Sequence, residues 1–318
     1  MGKEKILKWG YIDRRGEFVI EPRFDDARNF HDGLAVVKIE WEHGYIDEAG
    51  AFIIKPQFQQ AGDFIDGLAR VMADDKWGFI NSEGSYVIGP MFDKAQDFYD
   101  GLSMVRVDGK YGFIDRSGRY VAEPKFEFAG EFHDGLAWVK IEGKFGYIDS
   151  KGQWVVEPIF GNANDLSEGL GAVLSGEKYG YIDTSGKFII EPRFEFADKF
   201  HNGVARVKTD GHWSYIDKNG VLVPEPEEEP VARVFHDGLA PIIENGKTGY
   251  IDESGAIVIA PQFAQAEFFC EGFARVRSSA KSKWGYIDRS GKFVFKTKFD
   301  QAEDFCGNMA RVLVEVKI

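Results

Sequence analysis

Six side chains with ligand chemistry share one position in a recurring pattern. His31, His133, His201 and His236 each stand just before an Asp-Gly or Asn-Gly pair, and Cys270 and Cys306 occupy the same slot further along. Imidazole and thiolate are ordinary zinc ligands, and histidine titrates near neutrality. Such a set would make a metal-holding or pH-sensitive rim. Ligation requires convergence, yet these residues are separated by a whole repeat, and the slot also accepts Ile65, Tyr99 and Ser167. A partly exposed loop position that tolerates many side chains accounts for that variety. No metal or cofactor is expected. A disulfide between Cys270 and Cys306 would need Cα atoms within about 7 Å, and two free thiols are the expectation.

A second candidate is the run Pro224-Glu225-Pro226-Glu227-Glu228-Glu229-Pro230, where the pattern gains one residue and Glu228 replaces an aromatic. Charge runs are usually solvated loops. This one is also where the array departs most from itself, and it could dock a basic partner. Trp41 and Trp138 fall off the common tryptophan position, as platforms for a sugar or peptide or as surface packing. Aspartates recur singly in turns, whereas a calcium loop needs several close oxygen ligands. No nucleophile elbow, phosphate loop, dinucleotide fingerprint, zincin motif or catalytic carboxylate pair occurs. A non-catalytic protein is expected.

The elements that would carry these residues repeat from end to end. The first copy reads Lys8-Trp-Gly-Tyr-Ile-Asp13, Gly16, Phe18-Val-Ile20, Pro22, Phe24, Ala27, Phe30 and Asp32-Gly-Leu-Ala35. Its glycine recurs at Gly44, Gly78, Gly112, Gly146, Gly180, Gly249 and Gly285, with Ser214 in the seventh copy, at spacings of 34 to 36 residues. The nine units run approximately 8–41, 42–75, 76–109, 110–143, 144–177, 178–211, 212–246, 247–282 and 283–318. Asp13 three residues before Gly16 reads as a turn between two short strands rich in aromatic and β-branched residues. A third strand follows Asp32-Gly33. The spacing of Phe24, Ala27 and Phe30 predicts one helical turn, and Pro22 an end to the strand before it. Each unit is therefore a three-stranded antiparallel meander.

This pattern resembles the WG-containing repeat family of bacterial proteins over essentially the whole chain, with departures at Ser214 and at Thr248 in the tryptophan position. The resemblance implies a β-repeat fold and brings no catalytic residues with it. One 34-residue meander cannot bury its own faces, so units must stack. The fold class is all-β, as a propeller-like ring or else an open superhelix. A chain that starts near a second strand and ends on a first strand favours the ring, since closure removes exposed edges.

The formal net charge of −13 disfavours nucleic acid and anionic membranes, which require Lys and Arg. No apolar run reaches transmembrane length and the first residues lack a signal-peptide core. A soluble cytoplasmic protein is expected, with a leader already removed as the alternative. The expected function is an interaction scaffold that binds a protein or peptide through variable loops; the alternative is lectin-like glycan binding at repeated equivalent sites.

Overall fold

The computed structural model describes residues 5–225 and 234–317, without the side chains of Lys296 and Thr297. Every regular element among them is a β-strand. No helix long and apolar enough to cross a membrane is present among the described residues. The chain divides into two compact bodies. One comprises Met1–Ala73, Ile80–Ser85 and Pro230–Ile318; the other comprises Asp74–Phe79 and Tyr86–Glu229.

The first body shows the basic sheet: Asp26–His31, Leu34–Ile39, Glu42–Asp47 and Phe52–Phe58, hydrogen-bonded in that order. All its pairings are antiparallel. In the second body the sheets built on Leu102–Val107, Leu136–Ile141 and Leu170–Ser175 follow the same plan. These sheets thus have four strands, not three, and straddle the sequence repeat; the sheet built on Leu239–Glu244 has three among the described residues.

The extra strand comes from the stretch expected to be a helical turn. A bend at Asp25 resets the alternation, so Phe24, Ala27 and Phe30 all face inward while the chain stays extended. Ala27 lies opposite Val37, and the Phe30 ring packs 5.0 Å from Tyr11. Three-residue spacing arose from a kink between two strands rather than from helical winding. Pro22, likewise, lies within Phe18–Phe24 and does not end it. Trp9 faces Phe24 while Tyr11 faces Ile20, so the Phe18–Phe24 strand bulges around its proline.

This bulge explains the glycine that follows each tryptophan position. A Cβ on Gly44 would stand 2.5 Å from the Ile54 carbonyl oxygen and 2.6 Å from the Pro56 nitrogen. The bulged backbone fills the space that a side chain would need. The equivalent carbonyl oxygen blocks Gly10, Gly78, Gly112, Gly146, Gly180 and Gly249 at 2.4–2.7 Å.

Burial follows the unit. Tyr45, Ile54, Phe58, Ala61, Phe64, Ala69 and Val71 form one core cluster in the first body, and Tyr181, Ile190, Phe194, Ala197, Phe200, Ala205 and Val207 form its equivalent in the second. Burying each large apolar side chain contributes about 1.5–3 kcal/mol. The buried tyrosines keep their polar end satisfied. Tyr45, Tyr147 and Tyr181 donate their hydroxyls to the carbonyls of Gly62, Asn164 and Asp198, at 2.8, 2.7 and 2.7 Å. In the third unit Phe79 has no hydroxyl. There the equivalent carbonyl, that of Gln96, accepts from the buried Ser103 Oγ at 2.6 Å.

The two chain ends meet inside the first body. Lys5–Ile12 pairs along its whole length with Ala310–Lys317, between Phe18–Phe24 and Gln301–Ala302. The neighbouring joint repeats the internal ones. A Cβ on Gly16 would strike the Phe295 ring just as one on Gly50 or Gly84 would touch Ile20 or Ile54. Lys298 donates to the Gly16 carbonyl, as Arg23 does to that of Gly50.

Candidate functional site

Most of the repeated polar groups serve the fold. Asp13 Oδ1 accepts the backbone N–H groups of Arg15 and Glu17 at 2.9 and 3.0 Å, and the Asp13 carbonyl accepts Gly16 N–H. Asp115, Asp183, Asp252 and Asp288 each also take the hydroxyl of a serine two residues on, at 2.6 Å. Those bonds to the ionised form hold their carboxyls below the usual aspartate range. The aspartates are turn residues.

The Asp-Gly pairs after the His/Cys slot form another set of turns. Asp32 and Gly33 have φ of 51° and 76°, the left-handed pair of a two-residue hairpin, which Asp and Gly tolerate. The freed carboxylate reaches the next unit. Asp32, Asp134 and Asp237 accept the N–H groups of Gly67, Gly169 and Gly272 at 2.9, 2.8 and 2.7 Å. Glu168 does the same for Gly203 and also holds Lys218 at 3.0 Å.

The slot itself is less dispersed than the sequence spacing implied. Ser167 Oγ donates to the Phe200 carbonyl, and Cys270 Sγ to that of Phe305, each beside the next occupant of the slot. Neighbouring slots therefore meet at one joint, because adjacent sheets place equivalent turns side by side. His31, His133, His201 and His236 all lie exposed. His133 Nε2 is 3.9 Å from Asp165, and the His236 ring lies 4.7 Å from that of Phe268. No group of three or more His, Cys, Asp or Glu among the described residues is arranged to hold a metal. Cys270 and Cys306 are free thiols, and burial pushes the Cys270 thiol up.

The two tryptophans differ. Trp41 is 83% exposed in a tight turn, with Lys38 Nζ 5.7 Å from its ring. Trp138 is half-buried, lies tilted against Phe145 with ring centroids 5.7 Å apart and donates its indole N–H to Asp165 at 2.8 Å. Its nitrogen is occupied and its ring packs against Phe145. A recess of about 410 Å³ lies at a joint in the second body, lined by Tyr99, Asp100, Phe132, His133, Asp134 and Ser150. Tyr99 is 69% exposed there.

The seventh unit breaks the pattern physically. Among the described residues its outer strand comprises Leu222–Val223, where the preceding unit has Phe188–Phe194. Trp213 is 48% exposed and Tyr215 only half-buried, whereas the equivalent Tyr147, Tyr181 and Tyr250 are sealed at 0%. Arg206 lies over the Trp213 ring at 4.4 Å and pairs with Asp198 at 3.0 Å. Tyr215 donates to Glu225 at 3.4 Å. Among the described residues, Arg206, Trp213, Ser214, Tyr215, Val223 and Glu225 line a recess of about 390 Å³. Of the acidic run, Glu225 is thus in the recess, and Glu227, Glu228 and Glu229 lie outside the described residues. The sequence marks this unit at Ser214 and Glu228, where other units carry glycine and phenylalanine.

Comparison with known families agrees with this geometry. The model described as "WG containing repeat" matches residues 9–40, 44–77, 77–111, 111–145, 145–179, 179–213, 249–281 and 284–315. The chain belongs to the WG containing repeat family. The longest gap in the matches, residues 214–248, begins at Ser214. No curated protein matches the chain. Among solved structures, a eukaryotic initiation factor is similar at 12% identity and a TM-score of 0.45, over 92% of this chain and 95% of that one. Hsv2p of Kluyveromyces lactis is similar at 11% identity and a TM-score of 0.35, over 80% and 92%. Hsv2 of Kluyvelomyces marxianus is similar at 11% and 0.35, over 88% and 98%.

Proposed function

We propose that this WG-repeat chain is a non-catalytic interaction scaffold that engages a basic segment of a protein or peptide at its seventh unit. The observation that carries this reading is the exposed Trp213–Tyr215 recess with Glu225 at its edge, in an array whose other repeated polar groups are largely spent on turns and joints. Exposed aromatics beside a carboxylate suit a Lys or Arg side chain, through cation–π attraction and charge-assisted hydrogen bonds. The net charge of −13 favours encounter with a cationic partner. Fluorescence anisotropy against pooled basic, acidic and neutral peptides tests it. Saturable binding of the basic pool, lost in Trp213→Ala, is expected. Equal binding of all pools, or turnover of a substrate, overturns it.

A glycan reading is favoured by a different place, the Tyr99 recess, where an exposed aromatic lies beside Asp100, Asp134 and Ser150. Sugars stack on such rings and bond to such oxygens. A glycan array whose hits depend on Tyr99 would make this the better reading.

For the finer architecture, we infer that the array is cyclic. The pairing of Lys5–Ile12 with Ala310–Lys317, and a Gly16–Phe295 joint built like the internal ones, support it. A circular permutant joining the present ends and opened at the Asp108-Gly109 turn is expected to keep full stability. A permutant that fails to fold overturns the inference.

A further inference from the structure

Cys270 and Cys306 stand at one joint of the first body, and hydrogen bonds bracket the pair. Cys270 Sγ donates to the Phe305 carbonyl at 3.2 Å. The adjacent Glu271 carboxylate accepts the N–H groups of Gly307 and Asn308 at 2.8 and 3.1 Å. Cys306 lies between those two anchors. A planar trans peptide puts its carbonyl oxygen about 3 Å from the following Cα, so Cys270 Sγ stands within about 6 Å of the Cys306 Cα. The backbone of both turns is fixed as well. Cys270 N–H donates to the Phe273 carbonyl and Cys306 N–H to that of Met309, each at 2.8 Å.

This contact belongs to the slot. In the second body Ser167 Oγ reaches the Phe200 carbonyl at 2.7 Å in the same way, beside His201. A hydroxyl there can only hydrogen-bond, whereas two thiols in consecutive slots can bond to one another. Both thiols belong to partly exposed residues, within reach of a small reagent. Burial pushes the Cys270 thiol up, and Asp304, Glu271, Asp237 and the Cys306 thiol itself add to the rise. Cys270 therefore rests as the protonated thiol that donates to Phe305.

The same joint holds the first hairpin of the chain. Arg14 donates to Asn308 Oδ1 at 3.1 Å and to the Glu271 carbonyl at 2.5 Å, and its guanidinium lies 5.0 Å from the centre of the Phe273 ring. Beyond Cys306 the chain enters Ala310–Lys317, the strand paired with Lys5–Ile12. A covalent link at this point fastens the joint beside the sheet in which the chain ends meet.

We propose that Cys270 and Cys306 form a redox site, which a small disulfide converts reversibly to an intramolecular Cys270–Cys306 disulfide that locks this joint. One protein thiol loses its proton and attacks the reagent RSSR, forming a mixed disulfide and releasing RS⁻, which takes up that proton as RSH. The other protein thiol loses its proton and attacks the protein sulfur of the mixed disulfide, releasing the second RSH. The protein gives up two electrons and two protons, and the reagent gains both. A disulfide requires Cα atoms within about 7 Å, which the bracketed turns allow once Cys270 Sγ turns away from the Phe305 carbonyl.

The test treats the reduced full chain, dilute and without air, with 2-hydroxyethyl disulfide, an uncharged reagent. Intact mass is expected to fall by two hydrogen atoms with no adduct, and digestion to yield a peptide containing Cys270 joined to one containing Cys306. Cys270→Ser and Cys306→Ser, which place in the slot a residue it already carries at Ser167, are each expected to keep one reagent adduct instead. The cross-link is expected to raise the melting temperature by about 5 °C, reversibly with dithiothreitol, from the entropy of closing a loop of this length. Unreacted thiols, two retained adducts or chain-to-chain dimers overturn the site. A cross-link that leaves the melting temperature unchanged overturns the locking of the joint.

Discussion

The exchange between Tyr45 and the third unit's Ser103 offers a quantitative test of how these repeats tolerate change. Tyr45→Phe removes the hydroxyl that donates to the buried Gly62 carbonyl at 2.8 Å. The lost bond contributes about 0.5–1.5 kcal/mol net, and a buried carbonyl left without a donor costs about 1–3 kcal/mol, so a loss near 2 kcal/mol is expected. The third unit already carries Phe79 in this position and meets the same need with Ser103, which donates to Gln96 at 2.6 Å. Ala69, 1% exposed, holds the Ser103 position in the second unit. Ala69→Ser alone crowds the tyrosine hydroxyl and is expected to cost about 1 kcal/mol. Combined with Tyr45→Phe, it supplies the missing donor and should bring stability back to within about 1 kcal/mol of the parent. Urea unfolding of the four proteins, compared at constant m, gives the coupling as a double-mutant cycle. Additive losses in the double variant would refute the reasoning, since they would show that the carbonyl does not decide the position.

Three further outcomes follow from the geometry. Gly44→Ala places a Cβ 2.5 Å from the Ile54 carbonyl and is expected to cost about 1–3 kcal/mol or more; Gly89→Ala, with nothing within 4 Å, should cost nothing measurable in the same urea experiment. Removing residues 309–318 strips the Lys5–Ile12 strand of its partner, and is expected to lower the melting temperature and produce aggregation visible by light scattering. The turn carboxylates of Asp13, Asp115, Asp183, Asp217, Asp252 and Asp288 are lowered in the folded state. Their contribution is present above the ordinary aspartate range near pH 4 and is lost as pH falls through the lowered folded values. Melting temperature should therefore decline steadily below about pH 4, and less steeply in Asp183→Asn.

The aspartate turns, the hairpin strands and the Asp-Gly reversals were legible in the residues, because turn chemistry and strand patterning act over a few neighbours. The Phe24–Ala27–Phe30 segment was misread for the complementary reason. A kinked strand and a helical turn both place apolar residues three apart, and only the partner strand Leu34–Ile39 distinguishes them. Pro22 misled likewise, since a bulge keeps proline inside a paired strand and that bulge depends on a glycine twelve residues earlier. At the candidate site the sequence exposed the anomaly at Ser214 and Glu225 to Glu229 without its consequence. Trp213 and Tyr215 look like every other aromatic of their positions, and only the structure shows Trp213 exposed and Tyr215 half-buried. The same holds for Trp138, whose indole found Asp165 in the next unit across 27 residues of sequence. Local spacing determines which strands and turns form. What covers a side chain is determined by the neighbouring sheet, whose approach depends on distances that one strand's residues do not encode.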